Sequence, residues 1–203
     1  MTHVLVVKSS IQGEASASSQ LADAFVASLS EGEANVEITY RDLGAQPLPH
    51  LDVATFAAFN TAADQRTAEQ KKLTELSDSL IAELKAADIL VLGMPLYNFG
   101  APSGFKAWVD QVCRVGETFT YTSEGPKGLT GLDKAIVMAS RGGTYVGTPA
   151  ESQTAWLDTL LGFMGVGQVS YIYAEGLARP DTREQALADA VSAAQAVAGE
   201  LSS

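Results

Sequence analysis

Five short strand candidates, most of them apolar and separated by segments with a helical period, constrain the fold more than any other feature of this sequence. They span residues 4–7, 36–40, 89–92, 135–139 and 169–173, and turn residues bound them. Apolar runs of this length suit parallel strands that are covered on both faces. The run 36–40 alternates polar and apolar residues, so we expect it at a sheet edge. Alternating strands and helices predict a doubly wound α/β sheet with right-handed crossovers.

Apolar residues recur with a 3.6-residue period in four of the intervening segments, which predicts amphipathic helices. The stretch 51–86 contains neither Gly nor Pro, so we interpret it as a helical excursion followed by a helix. No internal repeat is present, and 203 residues suit a single domain over residues 1–203. The four stripes are Leu21, Phe25 and Leu29; Leu73, Leu76, Leu80 and Leu84; Phe105, Trp108, Val109, Val112 and Cys113; and Leu187, Val191, Ala194, Ala198 and Leu201.

Charge and composition exclude several classes of function. The net charge is −11 and the 13 lysines and arginines are scattered, whereas nucleic-acid surfaces need clustered cations. We expect neither a membrane span nor a targeting segment, and the single cysteine, Cys113, fits a reducing compartment. The sequence therefore predicts a cytoplasmic protein. His3 and His50 lack a cysteine at metal-like spacing, so no metal site is expected.

Hydroxyl groups crowd the loop that follows the first predicted strand. In an open parallel sheet, ligands bind beyond the carboxyl ends of the strands, where the strand order reverses. Residues 8–19 lie there and combine serine hydroxyls with the unpaired N–H groups of a helix start, which suits a terminal phosphate. The glycine motifs of dinucleotide and P-loop sites are absent. Ordinary serine N-capping is the alternative interpretation.

Two further loops are expected at the same end of the sheet. Residues 93–104 contain two prolines together with Tyr97 and Phe99, and a stiff aromatic loop suits a flat ring with polar edges. The alternative is an aromatic loop that packs onto its own core. Adjacent glycines at 142–143 allow close approach of the backbone and aim successive N–H groups at one acceptor, although an ordinary turn has the same composition.

At these loops the sequence closely resembles the FMN-dependent NADH:quinone oxidoreductases, also known as azoreductases. The resemblance covers essentially the whole chain and implies a flavodoxin-like fold, with a five-stranded parallel sheet and helices on both faces. It also implies a homodimer with one tightly but non-covalently bound FMN per subunit, near the dimer interface. The motifs that carry it are residues 4–10 (Val-Leu-Val-Val-Lys-Ser-Ser), 94–99 (Met-Pro-Leu-Tyr-Asn-Phe), 118–122 (Thr-Phe-Thr-Tyr-Thr), 140–143 (Ser-Arg-Gly-Gly), 161–165 (Leu-Gly-Phe-Met-Gly) and 174–176 (Ala-Glu-Gly).

The resemblance also implies which residues form the site. Two departures from the family pattern are Ala17, where a larger polar residue is frequent, and Tyr145, where some members have histidine. The implied phosphate contacts are Ser10, Ser16, Ala17 and Ser18. The implied contacts to the isoalloxazine are Leu96, Tyr97, Asn98 and Phe99, and those to its pyrimidine edge are Ser140, Arg141, Gly142 and Gly143. Tyr121 and Phe163 resemble the aromatics placed over the open face of the flavin, partly from the partner subunit.

The reaction that the resemblance implies is hydride transfer from NADH or NADPH, through flavin N5, to quinones and azo compounds. The flavin carries the chemistry, so no side chain is needed as a nucleophile or metal ligand. One aromatic slot shared by donor and acceptor implies ping-pong kinetics and a broad choice of flat substrates. Two alternatives stay open at this point: a non-enzymatic flavodoxin-like electron carrier, and a flavin-free protein that uses the same fold for regulation or interaction.

Overall fold

The computed structural model describes residues 1–33 and 35–201, so residues 34, 202 and 203 of the predicted domain lie outside the described part. The strands are β1 (Thr2–Lys8), β2 (Val36–Asp42), β3 (Ile89–Pro95), β4 (Phe119–Thr122), β5 (Gly125–Gly128), β6 (Lys134–Ser140) and β7 (Gln168–Ala174). Five of them form a parallel sheet in the order β2-β1-β3-β6-β7. This order is that of doubly wound, flavodoxin-like sheets. All five predicted strands, and the predicted fold class, are confirmed.

Helices cover both faces of this sheet. They are α1 (Ala17–Gly32), α2 (Val53–Phe59), α3 (Ala68–Ala86), α4 (Ser103–Val112), α5 (Gln153–Met164) and α6 (Pro180–Leu201). One apolar cluster joins α1 and α6 to one face, and a second joins α3, α4 and α5 to the other. Within the described ranges, none of these helices has the length and apolar content needed to cross a membrane.

Burial along the strands follows their positions in the sheet. Every residue of the central strand β3 is buried, whereas β2 alternates between half-buried and exposed residues along most of its length. Each fully buried Leu, Val or Ile side chain contributes roughly 1.5–3 kcal/mol of transfer free energy, so the two-sided core holds β3 firmly. The carboxyl end of this strand consequently provides a rigid base for the loop that follows it.

Two elements were not predicted from the sequence. The strands β4 and β5 form an antiparallel hairpin that is separate from the main sheet, and α5 lies between β6 and β7 in the chain. The hairpin abuts the end of α5 so closely that a Cβ placed on Gly128 would lie 2.1 Å from the backbone nitrogen of Gly165. Gly165 has φ = 87° and ends α5, a left-handed conformation that glycine adopts without strain.

Candidate functional site

The loops that follow β1, β3 and β6 meet at the carboxyl edge of the sheet, as predicted. They enclose a cavity of about 200 Å³, which we call the rim cavity. A second cavity of about 450 Å³ shares Tyr97 with it, and its lining includes Ser9, Ile11, His50 and Asn98. The rim cavity is lined by Gln12, Ser16, Ala17, Pro95, Leu96, Tyr97, Ser140, Arg141, Gly142, Leu177, Ala178 and Arg183.

The start of α1 supplies hydroxyl and N–H groups to the rim cavity. Ser16 is the N-cap, and its Oγ accepts a hydrogen bond from the Ser19 N–H at 3.4 Å. The Ser16 and Ser18 hydroxyls are 3.1 Å apart, and both residues are buried. The N–H groups of Ala17 and Ser18 lie in the first turn, where no intrahelical acceptor exists. This end of α1 can therefore hold an anion through neutral groups.

A tight turn follows β3. Tyr97 and Gly100 exchange both backbone hydrogen bonds, at 3.1 and 2.9 Å, while Asn98 and Phe99 have φ values of 49° and 61°. Two central residues with positive φ define a type I′ turn, a conformation that is strained for phenylalanine. The Tyr97 hydroxyl lies 2.9 Å from Ser10 Oγ and links this turn to the loop after β1.

The double glycine after β6 presents free donors. Among the described residues, the N–H groups of Gly142 and Gly143 find no acceptor, whereas their carbonyls accept bonds from Ala178 and Gly176. The Arg141 carbonyl likewise accepts the Leu177 N–H at 3.1 Å. The loop is therefore fixed through its carbonyl groups, and the two N–H groups remain available to a ligand.

The Arg141 side chain points away from the rim cavity. Its guanidinium is fully buried, with Nη2 2.5 Å from Glu151 Oε1 and Nη1 3.1 Å from Gln153 Oε1. Nε lies 3.8 Å from Glu175 Oε1, and the guanidinium carbon sits 5.2 Å from the centre of the Tyr173 ring. Burial raises the pKa of the Tyr173 phenol, so this ring is neutral. Arg141 can contact a ligand only through its backbone.

Tyr145 closes the loop over the double glycine. A Cβ on Gly143 would lie 2.7 Å from Tyr145 Cζ, so the ring rests directly on this glycine. The same ring meets Phe99 edge-on, with centroids 5.6 Å apart. Glu175 Oε1 accepts a hydrogen bond from the Tyr145 N–H at 2.7 Å and thereby fixes the backbone of the loop after β6 at Tyr145. Tyr145 and Phe99 thus connect the loops after β6 and β3.

Tyr121 and Phe163 lie together, but in a different place. Both contact Phe119, with ring centroids 5.6 Å and 4.3 Å away respectively. Tyr121 lines a separate cavity of about 230 Å³, which we call the aromatic cavity and which shares no lining residue with the two cavities beside Tyr97. Its lining comprises Leu51, Phe56, Phe59, Asn60, Asp110, Cys113, Arg114, Val115, Phe119 and Tyr121.

Cys113 and Arg114 are two of the polar residues that line the aromatic cavity. Burial raises the pKa of the Cys113 thiol to about 11, so the thiol is protonated at neutral pH. Arg114 Nη1 donates to Ser77 Oγ at 2.9 Å and to Asp78 Oδ1 at 2.5 Å, and its guanidinium lies 4.6 Å from the Phe59 ring centre. The cavity therefore offers mostly apolar and aromatic surface, and its thiol is not a nucleophile at neutral pH.

Comparison with known proteins assigns the family. A family model described as having a flavodoxin-like fold matches residues 2–198. A protein from Burkholderia pseudomallei named FMN-dependent NADH:quinone oxidoreductase is 48% identical over 198 residues, which cover 97% of this chain and 100% of that protein. The chain belongs to this oxidoreductase family. A relative from Cellvibrio japonicus with the same name is 45% identical over 94% of this chain and 95% of its own length.

Solved structures agree with this assignment to the FMN-dependent NADH:quinone oxidoreductases. The crystal structure of an azoreductase from Bacillus anthracis has a TM-score of 0.89 and 31% identity, covering 98% of this chain and 100% of that one. A Bacillus anthracis FMN-dependent NADH-azoreductase, solved in complex with FMN, also has a TM-score of 0.89, at 25% identity with full coverage of both chains.

The structure brings most of the residues that the sequence suggested for this oxidoreductase family to one place. Residues from all three predicted loops surround the two cavities beside Tyr97, while Tyr121 and Phe163 lie apart. Sequence reasoning missed Arg183, which lines the rim cavity from α6, and Gln153, which is buried beneath the loops. Neither residue belongs to a motif, and only their position in the folded chain identifies them.

Proposed function

We propose that this chain is an FMN-dependent oxidoreductase that uses NADH or NADPH to reduce quinones and azo compounds. The observation that carries the proposal is the meeting of three loops at one edge of the sheet. They present serine hydroxyls, an aromatic turn and unpaired backbone N–H groups to adjoining cavities. The hydroxyls suit a phosphate, the aromatic turn suits a flat ring, and the N–H groups suit the polar edge of that ring. Family membership supports the same function.

The rim cavity fits the phosphate of FMN. Ser16 lines the cavity, and the hydroxyls of Ser10 and Ser18 contact the lining residues Tyr97 and Ser16. The first turn of α1 would supply the N–H groups of Ala17 and Ser18. Because a terminal phosphate has three free oxygens, it can satisfy several of these donors at once. Ala17 contributes only its backbone. Arg183 lines the same cavity and would supply a positive charge to the phosphate.

The loops after β3 and β6 fit the ring. The free N–H groups of Gly142 and Gly143 would donate to the pyrimidine edge, where negative charge gathers on reduction. Residues 96–99 would line the ring, and Ser140 and the Arg141 backbone would complete the edge contacts. When bound, FMN supplies a hydride relay between the nicotinamide and the acceptor. The protein binds and orients it, and no side chain is required to act as a nucleophile.

The homodimer is part of the proposal. Tyr121 and Phe163 are aromatic and accessible, yet within one chain they line no cavity beside Tyr97. Exposed apolar side chains lie near both the site and the aromatic cavity. Ile11 and Phe99 are in the loops beside Tyr97, and Phe56 lines the aromatic cavity. A second copy would cover these side chains and bring its aromatic cluster over the flavin. Apolar surface of this kind typically marks an interaction site.

Anaerobic absorbance measurements test the proposed function. We expect the purified protein to bind FMN, and its flavin absorbance to bleach when NADH or NADPH is added. With a quinone present, each flavin should consume many equivalents of NADH, whereas an electron carrier would stop after about one. A single slot shared by donor and acceptor predicts parallel double-reciprocal lines, and intersecting lines would exclude it. A protein that binds no FMN would contradict the proposal as a whole.

A second test addresses the phosphate end of the site. We expect Arg183→Gln to weaken FMN binding by about 10-fold while leaving riboflavin binding unchanged, because only FMN carries the phosphate. Among the described residues, Arg183 has no carboxylate partner, and Nη1 donates to the Leu177 carbonyl at 3.0 Å. The matched control is Arg179→Gln, since Arg179 is exposed and paired with Asp181. Flavin fluorescence quenching gives both dissociation constants.

Equal losses for FMN and riboflavin in the Arg183→Gln variant would mean that Arg183 acts through the fold. No loss for either ligand would mean that the phosphate lies elsewhere.

A further inference from the structure

Three consecutive residues at the start of α5 hold the loops after β3 and β6 together. We call residues 151–153 the α5 clasp. Glu151 and Gln153 both bind the guanidinium of Arg141, which follows β6. Ser152 and Gln153 both bind carbonyl groups of the loop after β3. Glu151 and Ser152 end the loop that follows β6, and Gln153 is the first residue of α5.

Gln153 uses both ends of its side-chain amide. Its Oε1 accepts from Arg141 Nη1 at 3.1 Å, while Nε2 donates to the carbonyls of Pro95 at 3.1 Å and Gly100 at 3.3 Å. The residue is 1% exposed, so water does not compete for these bonds. Pro95 is the last residue of β3, and Gly100 is the last residue of the type I′ turn. One side chain therefore fixes the end of β3 and the end of the turn relative to Arg141.

Ser152 acts on the turn itself. Its Oγ donates to the carbonyl of Phe99 at 2.5 Å. Phe99 has φ = 61°, and a bulky residue in this region costs of order 1–3 kcal/mol unless its surroundings hold it there. The bonds from Ser152 and Gln153 to the carbonyls of residues 99 and 100 provide such support.

We propose that Ser152 and Gln153 are positioning residues for the flavin: they set the separation of the ring-lining turn from the double-glycine loop. The inference rests on the proposed function, which assigns these loops to the lining and the pyrimidine edge of one ring. A ring is held by both only when their spacing matches its width. The clasp fixes that spacing through hydrogen bonds, without contacting the ring.

The experiment compares variants by FMN dissociation constant, by the absorption spectrum of the bound flavin, and by thermal unfolding of the flavin-free protein. We expect Ser152→Ala to weaken FMN binding by about 5-fold and Ser152→Thr, which keeps the hydroxyl, to restore it. We expect Gln153→Met, which removes both carbonyl contacts and the acceptor of Arg141, to weaken binding by about 30-fold. Ser192→Ala, on the exposed face of α6, is the matched control and should leave the dissociation constant unchanged.

The proposal is overturned if the variants lower the unfolding temperature but leave the dissociation constant and the flavin spectrum as in the wild type. Ser152 is exposed, so its Ala and Thr variants decide the question even where Gln153→Met does not fold. A wild-type protein that binds no FMN would instead refute the proposed function. Normal wild-type binding together with an unaffected Ser152→Ala refutes the positioning role alone.

Discussion

Replacing Arg141 by methionine is expected to lower the free energy of unfolding by about 3–5 kcal/mol. The reason is that the largely buried carboxylates of Glu151 and Glu175 would lose their positively charged partner. Arg141 is fully buried, and both Glu151 and Glu175 face its guanidinium with side chains that are 11% and 16% exposed. Methionine fills a similar volume, so the loss of charge dominates over the loss of packing. Glu151 and Gln153 would lose the hydrogen bonds from the guanidinium, and Glu175 would lose its ion pair.

The same substitution is expected to disturb flavin binding. Glu151 joins Arg141 to the start of α5, and Glu175 accepts N–H groups from Tyr145 and Val146. Without the guanidinium between them, the two like charges repel each other, and the loop that carries the double glycine loses its anchor. We therefore expect weaker FMN binding in addition to lower stability.

Chemical denaturation followed by circular dichroism measures the change in stability. The control is Arg179→Met, because the Arg179–Asp181 pair is 67% exposed on both sides and such pairs contribute only about 0–1 kcal/mol. Similar unfolding midpoints for the two variants would show that the buried network is not a major source of stability.

Replacing Gly128 by alanine is expected to displace the β4–β5 hairpin, or to lower the free energy of unfolding by about 3 kcal/mol or more. The added Cβ would meet the backbone nitrogen of Gly165 at 2.1 Å and the carbonyl carbon of Met164 at 2.2 Å. Backbone atoms cannot move aside as the end of a flexible side chain can. Either the hairpin shifts with its Tyr121, or the end of α5 unwinds.

Gly162→Ala provides the matched control. A Cβ at Gly162, in the same helix, would meet no atom within 4 Å, and alanine favours a helix over glycine by about 0.5–1 kcal/mol. We expect this variant to be as stable as the wild type or slightly more so, and to turn over quinone normally. We expect Gly128→Ala to lose quinone turnover more than FMN binding, because Tyr121 moves while the rim cavity does not. Unchanged stability and turnover in Gly128→Ala would contradict this account.

The inner strands were predictable because they are short apolar runs, and the edge strand β2 because its polar and apolar residues alternate. Helix α5 was harder to recognise. Its buried residues Leu157, Leu161 and Met164 follow the helical period, but Trp156 and Leu160 are apolar as well and pack against the same core. A helix that is apolar on most sides shows little contrast between its faces.

The three loops of the site were predictable because parallel strands end at a common edge. The inward direction of Arg141 was not, since its partners Glu151 and Glu175 lie in separate loops. The α5 clasp was also invisible, because Ser152 and Gln153 bind backbone carbonyls, and any sequence presents those. Separation of Tyr121 and Phe163 from the rim cavity likewise required the folded chain. Their assignment over the flavin stays a prediction.

Because the Arg141 side chain is buried and paired with Glu151, its charge does not face the proposed ligand, and this affects how the site responds to ionic strength. In the proposed site, the ring edge would meet the neutral N–H dipoles of Gly142 and Gly143, which act over a few ångströms, well inside the roughly 8 Å Debye length of physiological salt. Added electrolyte would leave those contacts almost untouched. In the proposed site, Arg183 would meet the phosphate as an exposed full charge, so the same electrolyte would weaken that contact. Salt would thus loosen the phosphate end of the cofactor while the ring end stays bound, despite a net charge of −11 on the chain.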